Sequence, residues 1–299
     1  MQRRFALAVG VLAVLAVLGG CSAAGSIEMR PVNGTELAAA ASRAPATGPP
    51  ERVESDRSRA AVVRAAATNG STTVTGLQPP VSEGLPFRVD GAYYDLQWSV
   101  VDSREANMVG ISIDYDGSAP NATAIAYEDL PAPDRAALDA LLPPRHPPET
   151  GSFEIGVGSV YTDGELNVSV LAPTQQYGVV VFEGERYPIR VEEPRAVEVK
   201  TYRYDAARVA PNASAYAAHL RSTYAFTLAN LSDAERSVVE EAAGGSYYAD
   251  STDDAAFAAV LERFRARRAV VSGDASGTWL VRYDGQLYLA DLRYGAFVA

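Results

Sequence analysis

The sequence predicts an α+β fold made of two to three repeated small units, each a helix packed on antiparallel β-hairpins, after a signal peptide and a flexible tether. Three observations predict it. Strand-like runs flank an acidic residue and a glycine in "LPFRVDGAYYDLQWSVV" (85–101), "YGVVVFEGERYPIRVEE" (177–193) and "TWLVRYDGQLYLADLRY" (278–294). Such a dipeptide between alternating apolar residues is a strong hairpin signal. Two closely similar segments, "APNATA" at 119–124 and "APNASA" at 210–215, stand 91 residues apart. Arg135 and Arg236 each lie 48 residues before the acidic turn residue of the next hairpin, Glu183 and Asp284. Helices beside antiparallel strands pack on one sheet face.

Taken in order, residues 1–20 read as a signal peptide and 21–51 as a tether rich in Ala, Gly, Ser and Pro, with a short helix at 36–43. A first unit is expected at 52–130, opening with a helix at 55–67 that Ser55 and Asp56 cap. The first hairpin follows, then a separate strand, "MVGISIDYD" (108–116). A second unit is expected at 131–225, with a helix in "PAPDRAALDALL", two strands between 151 and 172, and the second hairpin. A third, 226–299, opens with "SDAERSVVEEAA", where Ser232 and Glu235 form a capping box. An amphipathic helix at 252–268, with Phe257, Val260, Leu261 and Phe264 on one face, precedes the last hairpin.

The N-terminus reads as an address. Arg3 and Arg4 precede an apolar run at 5–18, too short to span a bilayer and of the right length for a signal-peptide core. The run ends in Leu18-Gly19-Gly20-Cys21, which resembles a lipobox: a branched apolar residue, two small residues, and a cysteine whose thiol takes a lipid. Cys21 is the only cysteine, so no intramolecular disulfide can form. One acyl chain anchors only marginally, and no polybasic patch follows, so a two-chain lipid is expected on Cys21. Arg3-Arg4 also resembles a twin-arginine export signal.

Composition narrows the partners. Across 299 residues the formal charge is −11, and without Arg3 and Arg4 the remainder is near −13. Such a surface repels nucleic acid and anionic lipid. Lys200 is the single lysine. Acid excess with little lysine resembles proteins of salt-loving archaea, where molar salt screens self-repulsion. Of seven asparagines, six begin Asn-X-Ser/Thr: Asn33, Asn69, Asn121, Asn167, Asn212 and Asn230; only Asn107 does not. At this Ser/Thr content, chance would give about one such match. N-glycosylation is expected at these six, on a chain exposed outside the cell.

Catalytic chemistry is not legible. The two histidines, His146 and His219, have no metal-ligand spacing around them, and no G-x-S-x-G is present. No metal and no cofactor are expected. Asp114 with Asp116, and Asp250 with Asp253 and Asp254, do not match a calcium loop. Sixteen tyrosines admit two readings: strand packing, or a tyrosine-bearing face for glycan or protein.

Through Leu18–Cys21, Arg3-Arg4, the acid excess and the unit "LSDAER…VRYDGQLYLADL", the chain resembles uncharacterised haloarchaeal exported lipoproteins that carry repeats of a short domain of unknown function. The resemblance implies a lipid-anchored, glycosylated cell-surface protein, held in the membrane through Cys21 and facing outward. The expected role is non-enzymatic: binding an envelope protein or glycan, or organising the envelope. The alternative is an exported hydrolase acting on glycan or peptide through dispersed carboxylates, which needs convergent acids in a cleft.

Overall fold

The computed structural model describes residues 23–45, 57–142 and 153–298, and the fold is mixed α+β. The expected signal peptide with Cys21, the expected caps Ser55 and Asp56, and His146 lie outside the described residues. The chain divides into two compact units. One contains the described residues up to Leu37 and those from Ala218 onward; the other runs from Ala38 to Ala217. The expected boundaries at 52, 131 and 226 do not mark these units, because strands distant in sequence complete each sheet.

The described residues begin with β1 (Gly25–Pro31) and α1 (Gly34–Ala40). Both fall inside 21–51 and correct the expectation of a flexible tether there. In β1, Ile27 and Met29 are buried while Ser26, Glu28 and Arg30 alternate with them, a period-2 pattern that the surrounding Ala, Gly and Pro conceal. Next come α2 (Arg59–Asn69), capped by Ser58, then β2 (Ser71–Gly76), β3 (Phe87–Val89) and β4 (Ala92–Asp114). The hairpin strand and the separate strand expected at 108–116 merge into β4, since β-branched and polar residues continue between them without a breaker. After β5 (Ala124–Ala126) and α3 (Ala132–Leu138) stand β6 (Glu154–Tyr161) and α4 (Asp163–Val168). The second strand expected between 151 and 172 is therefore a helix. Thr162 and Glu165 form a capping box at its start, which outweighs the β-propensity of "NVSV".

The chain continues through β7 (Val179–Phe182), β8 (Glu185–Val191), β9 (Arg195–Ala210), α5 (Ala213–Tyr224) and β10 (Phe226–Thr227). It closes with α6 (Asp233–Gly244), β11 (Ser246–Ala249), α7 (Ala255–Arg265), β12 (Val271–Ser272), β13 (Ser276–Tyr283) and β14 (Gln286–Arg293). The three hairpins form where expected. Asp90-Gly91, Glu183-Gly184 and Asp284-Gly285 all have positive φ at both residues, the type I′ turn that matches strand twist. The two similar segments differ in structure: 119–124 is a turn leading into β5, whereas Asn212 caps α5.

In the unit containing the chain's end, the strand order is β10-β13-β14-β1-β11, with β12 beside β13. Helices α6 and α7 pack on one face, burying Val239, Phe257 and Phe264 against Ile27, Met29, Trp279 and Leu292. In the other unit the order is β2-β9-β4-β8-β7-β5, with β3 and β6 also paired to β4. Two parts of its core stand out among the described residues. One lies under α2 around Val63, Phe87, Leu96 and Tyr204. The other lies under α3 around Ile111, Ile113, Leu138 and Val180.

Registers recur across these sheets. A parallel partner faces the first strand of each hairpin three residues before the acidic turn residue: Arg43 with Phe87, Ile125 with Val180, Phe226 with Val281. Six residues after it, the second strand pairs with an antiparallel neighbour: Leu96 with Ala206, Ile189 with Ile113, Ala290 with Met29.

Glu235, at the third position of α6, closes the expected capping box with Ser232 and is 7% exposed. It accepts from the Ser232 N–H at 2.8 Å and from Arg263 Nε and Nη2 at 2.6 and 3.1 Å. The Arg263 hydrogen bond, then the Ser232 N–H, hold its pKa down at about 2. A depressed carboxylate stabilises the fold above its unfolded pKa, and that contribution disappears as pH falls through the folded value. The thermal midpoint of this unit should thus drop between about pH 4.5 and pH 2. Glu235→Gln should flatten the drop and cost about 1–3 kcal/mol at neutral pH. An unchanged pH profile in that variant would refute the assignment.

Candidate functional site

The tyrosines resolve first. Fifteen of sixteen are buried or half-buried; Tyr248 alone is exposed, at 61%. Tyr204 exchanges hydrogen bonds with Val81 N–H and C=O through its hydroxyl, and Tyr93 stacks on Tyr216 at 4.3 Å. Packing accounts for these residues, and a broad tyrosine face is not formed.

Tyr248 stands in a polar lattice that follows from strand register. Side chains opposite one another across a sheet share a face. Ser26 of β1 faces Tyr248 of β11 on one side and Arg293 of β14 on the other, and Arg293 faces Ser276 of β13. Two residues along, Glu28 faces Ser246 and Asp291, and Asp291 faces Thr278. These two rungs occupy the face opposite the helices, because Ile27, Leu292 and Met29, between them, point into the core. With Ser272 they line a depression of about 480 Å³.

Its electrostatics are uneven. Asp291 is engaged by Arg30 at 2.8 Å and by the Thr278 hydroxyl at 2.6 Å. Glu28 lies 3.5 Å from Arg30. The Arg293 side chain is exposed and makes no hydrogen bond or ion pair among the described residues, nor do the hydroxyls of Ser26, Ser246 and Ser272. One exposed ring, one uncompensated guanidinium and several free hydroxyls therefore share a shallow floor. Strand spacing puts Tyr248 and Arg293 about 10 Å apart, the span of one to two sugar rings. Sequence reasoning did not single out Arg293; the alternation in "LADLR", with Asp291 and Arg293 outward, was the available signal.

A larger cavity, about 760 Å³, lies in the other unit between α3, β6 and the end of β2. Ala, Val, Pro and Gly dominate its walls, and Glu165 is its single carboxylate. That carboxylate is held by the backbone N–H and hydroxyl of Thr162. Two of the acidic residues noted in the sequence serve local structure. Asp114 accepts from the Asp116 N–H, and Asp254 caps α7 while accepting from Tyr247. Among the described residues, no group of three or more His, Cys, Asp or Glu is placed to hold a metal. His219 is exposed on α5.

The six sequon asparagines are all exposed, whereas Asn107 is half-buried and donates to Asp163. Asn33 and Asn212 cap α1 and α5 through Oδ1. Among the described residues no helix is long and apolar enough to cross a membrane. No family model, curated protein or solved structure matches the chain.

Proposed function

We propose that this chain is a lipid-anchored, glycosylated protein of a halophilic archaeal surface, and that it binds an acidic saccharide of the envelope through the face formed by Tyr248 and Arg293. The observation that carries the binding reading is the uncompensated Arg293 beside the only exposed tyrosine. A pyranose ring stacks on a tyrosine face, and guanidinium pairs bidentately with a sugar carboxylate. The Ser26, Ser246 and Ser272 hydroxyls supply the remaining polar contacts. In a chain of net charge −11, a local cation is what gives an anionic glycan a place to dock.

Anchoring rests on the lipobox at Leu18–Cys21. Only three residues separate Cys21 from Gly25 at the start of β1, four steps that span at most about 14 Å of extended chain. An anchored chain therefore carries its body close to the membrane, not at the end of a 30-residue tether. Intact mass and membrane partitioning of the native protein beside Cys21→Ser test this: the wild type should start at residue 21 and float with membranes, and the variant should not. For the binding face, a uronate-bearing oligosaccharide titrated in molar salt should bind the wild type. Tyr248→Ala and Arg293→Gln should each weaken binding about tenfold, ~1.4 kcal/mol. Equal binding by all three proteins would sink the assignment of the face.

The body is proposed to be three copies of one unit with two strands exchanged. Each copy would have the same order: a short parallel segment, the two hairpin strands, an inner strand and an edge strand. The supporting series are Arg43-β3-β4-β9-β2, β5-β7-β8-β4-β6 and β10-β13-β14-β1-β11. In the middle copy the inner strand, the C-terminal half of β4, directly precedes the copy in sequence. By that rule β1 belongs with the first copy and β9 with the third. Their pairings are the reverse, as an internal exchange would leave them.

A further inference from the structure

We propose that the fold sorts the six sequons: Asn167 is closed to a transferase acting on the folded chain, while Asn33, Asn69, Asn121, Asn212 and Asn230 stay open. This deepens, and rests on, the glycoprotein reading. The acceptor motif has two working parts, the asparagine Nδ2 and the hydroxyl two residues on. Exposure of the asparagine alone does not make a site available.

At the five open positions neither the asparagine Nδ2 nor the partner O–H donates a hydrogen bond among the described residues, although Ser71 Oγ accepts from Arg203 Nη2 at 3.5 Å. The capping bonds of Asn33 and Asn212 use Oδ1, and neither Nδ2 donates a hydrogen bond among the described residues. Thr35, Thr123, Ser214 and Ser232 are exposed, and Ser71 is half-exposed. Ser232 accepts the cap bond from the Glu235 N–H but keeps its own O–H.

Asn167 differs in the second part only. Its partner hydroxyl, on Ser169, is 9% exposed. That O–H donates to Asp134 Oδ1 at 2.6 Å, and the oxygen accepts from the Leu171 and Ala172 N–H groups at 3.1 and 2.9 Å. A hydroxyl has one donor and two lone pairs, so its capacity is fully engaged. Asp134 is itself fully buried and holds the Val170 N–H as well, so the segment after Asn167 is stapled to α3. A transferase would have to break this lock to read the motif.

Glycopeptide mapping of the native full-length chain tests this. Sugar is expected only among the five open asparagines, with Asn167 unmodified. In an Asp134→Ala chain, Asn167 should gain sugar whether that variant loosens locally or fails to fold, since either exposes Ser169. Sugar on native Asn167 at the level of the other sites, or an Asn167 that stays empty in Asp134→Ala, would overturn the proposal while leaving the glycoprotein reading intact. Absence of sugar at all six sites in both chains would overturn both.

Discussion

A chain lacking residues 25–31 should lose the folded unit that contains its own C-terminus. β1 lies between β14 and β11 and is hydrogen-bonded on both sides, with Ser26 to Pro31 registered against Arg293 to Tyr288. Ile27 and Met29 are 0% and 2% exposed within a core that includes Val239, Phe257, Trp279 and Leu292. Gly25 passes so close to the Phe257 ring that a Cβ there would lie 2.6 Å from it. Burying two such side chains stabilises by about 1.5–3 kcal/mol each. Removing the strand also leaves the facing N–H and C=O groups of β14 and β11 without partners. Against a typical total of about 5–15 kcal/mol, that loss unfolds the unit. Hydrogen exchange should then show residues 276–293 unprotected in the deletion chain. Ile27→Ala, a milder change, should cost about 2–5 kcal/mol. Retained protection of 276–293 after the deletion would refute the central place of β1. A flexible tether at 21–51 would predict no effect at all.

The contrast shows which features sequence alone carries. The hairpin turns, the Ser232–Glu235 box and the buried face of α7 are set by residues within a few positions of each other, so local chemistry specifies them. Strand β1 is local in pattern but short, and three apolar or long residues in a stretch of Ala and Pro do not outweigh composition. Sequence patterning divides β4 because the stretch from Asp102 to Asn107, between the hairpin and "MVGISIDYD", is polar and reads as a loop. It persists as strand because β9 pairs along it from Tyr93 to Met108, a partner roughly a hundred residues away that no local window sees. The proposed binding face is less legible still. Arg293, Ser26 and Tyr248 come from opposite ends of the unit's sequence, and only strand register brings them to one rung. The proposed export and anchoring signal, by contrast, is wholly local, and its residues need no fold to be read.

Asp134→Ala should be among the most damaging single substitutions in the unit that spans Ala38–Ala217. Asp134 takes the third position of α3, as Glu235 does in α6, but it faces hydroxyls and a backbone amide instead of a guanidinium. It accepts from Tyr161 OH at 3.2 Å, Ser169 OH at 2.6 Å and Val170 N–H at 2.8 Å, with no exposure to solvent. Alanine leaves the Tyr161 and Ser169 hydroxyls and the Val170 N–H without their acceptor, at a cost of about 3–5 kcal/mol. Burial, reinforced by Asp134, already pushes the Tyr161 phenol well above its ordinary pKa, so it remains a donor in need of an acceptor. Asp134→Asn should cost less, because one oxygen is kept while its NH2 meets the Val170 N–H. Ser169→Ala should be destabilising too, through the Leu171 and Ala172 N–H groups. Combined with Asp134→Ala it should cost less than the sum, as residues in one network do. Denaturant unfolding followed on this unit reads each value. A loss below about 0.5 kcal/mol for Asp134→Ala, the range of ordinary surface changes, would mean the network does not hold α3 to the segment behind it.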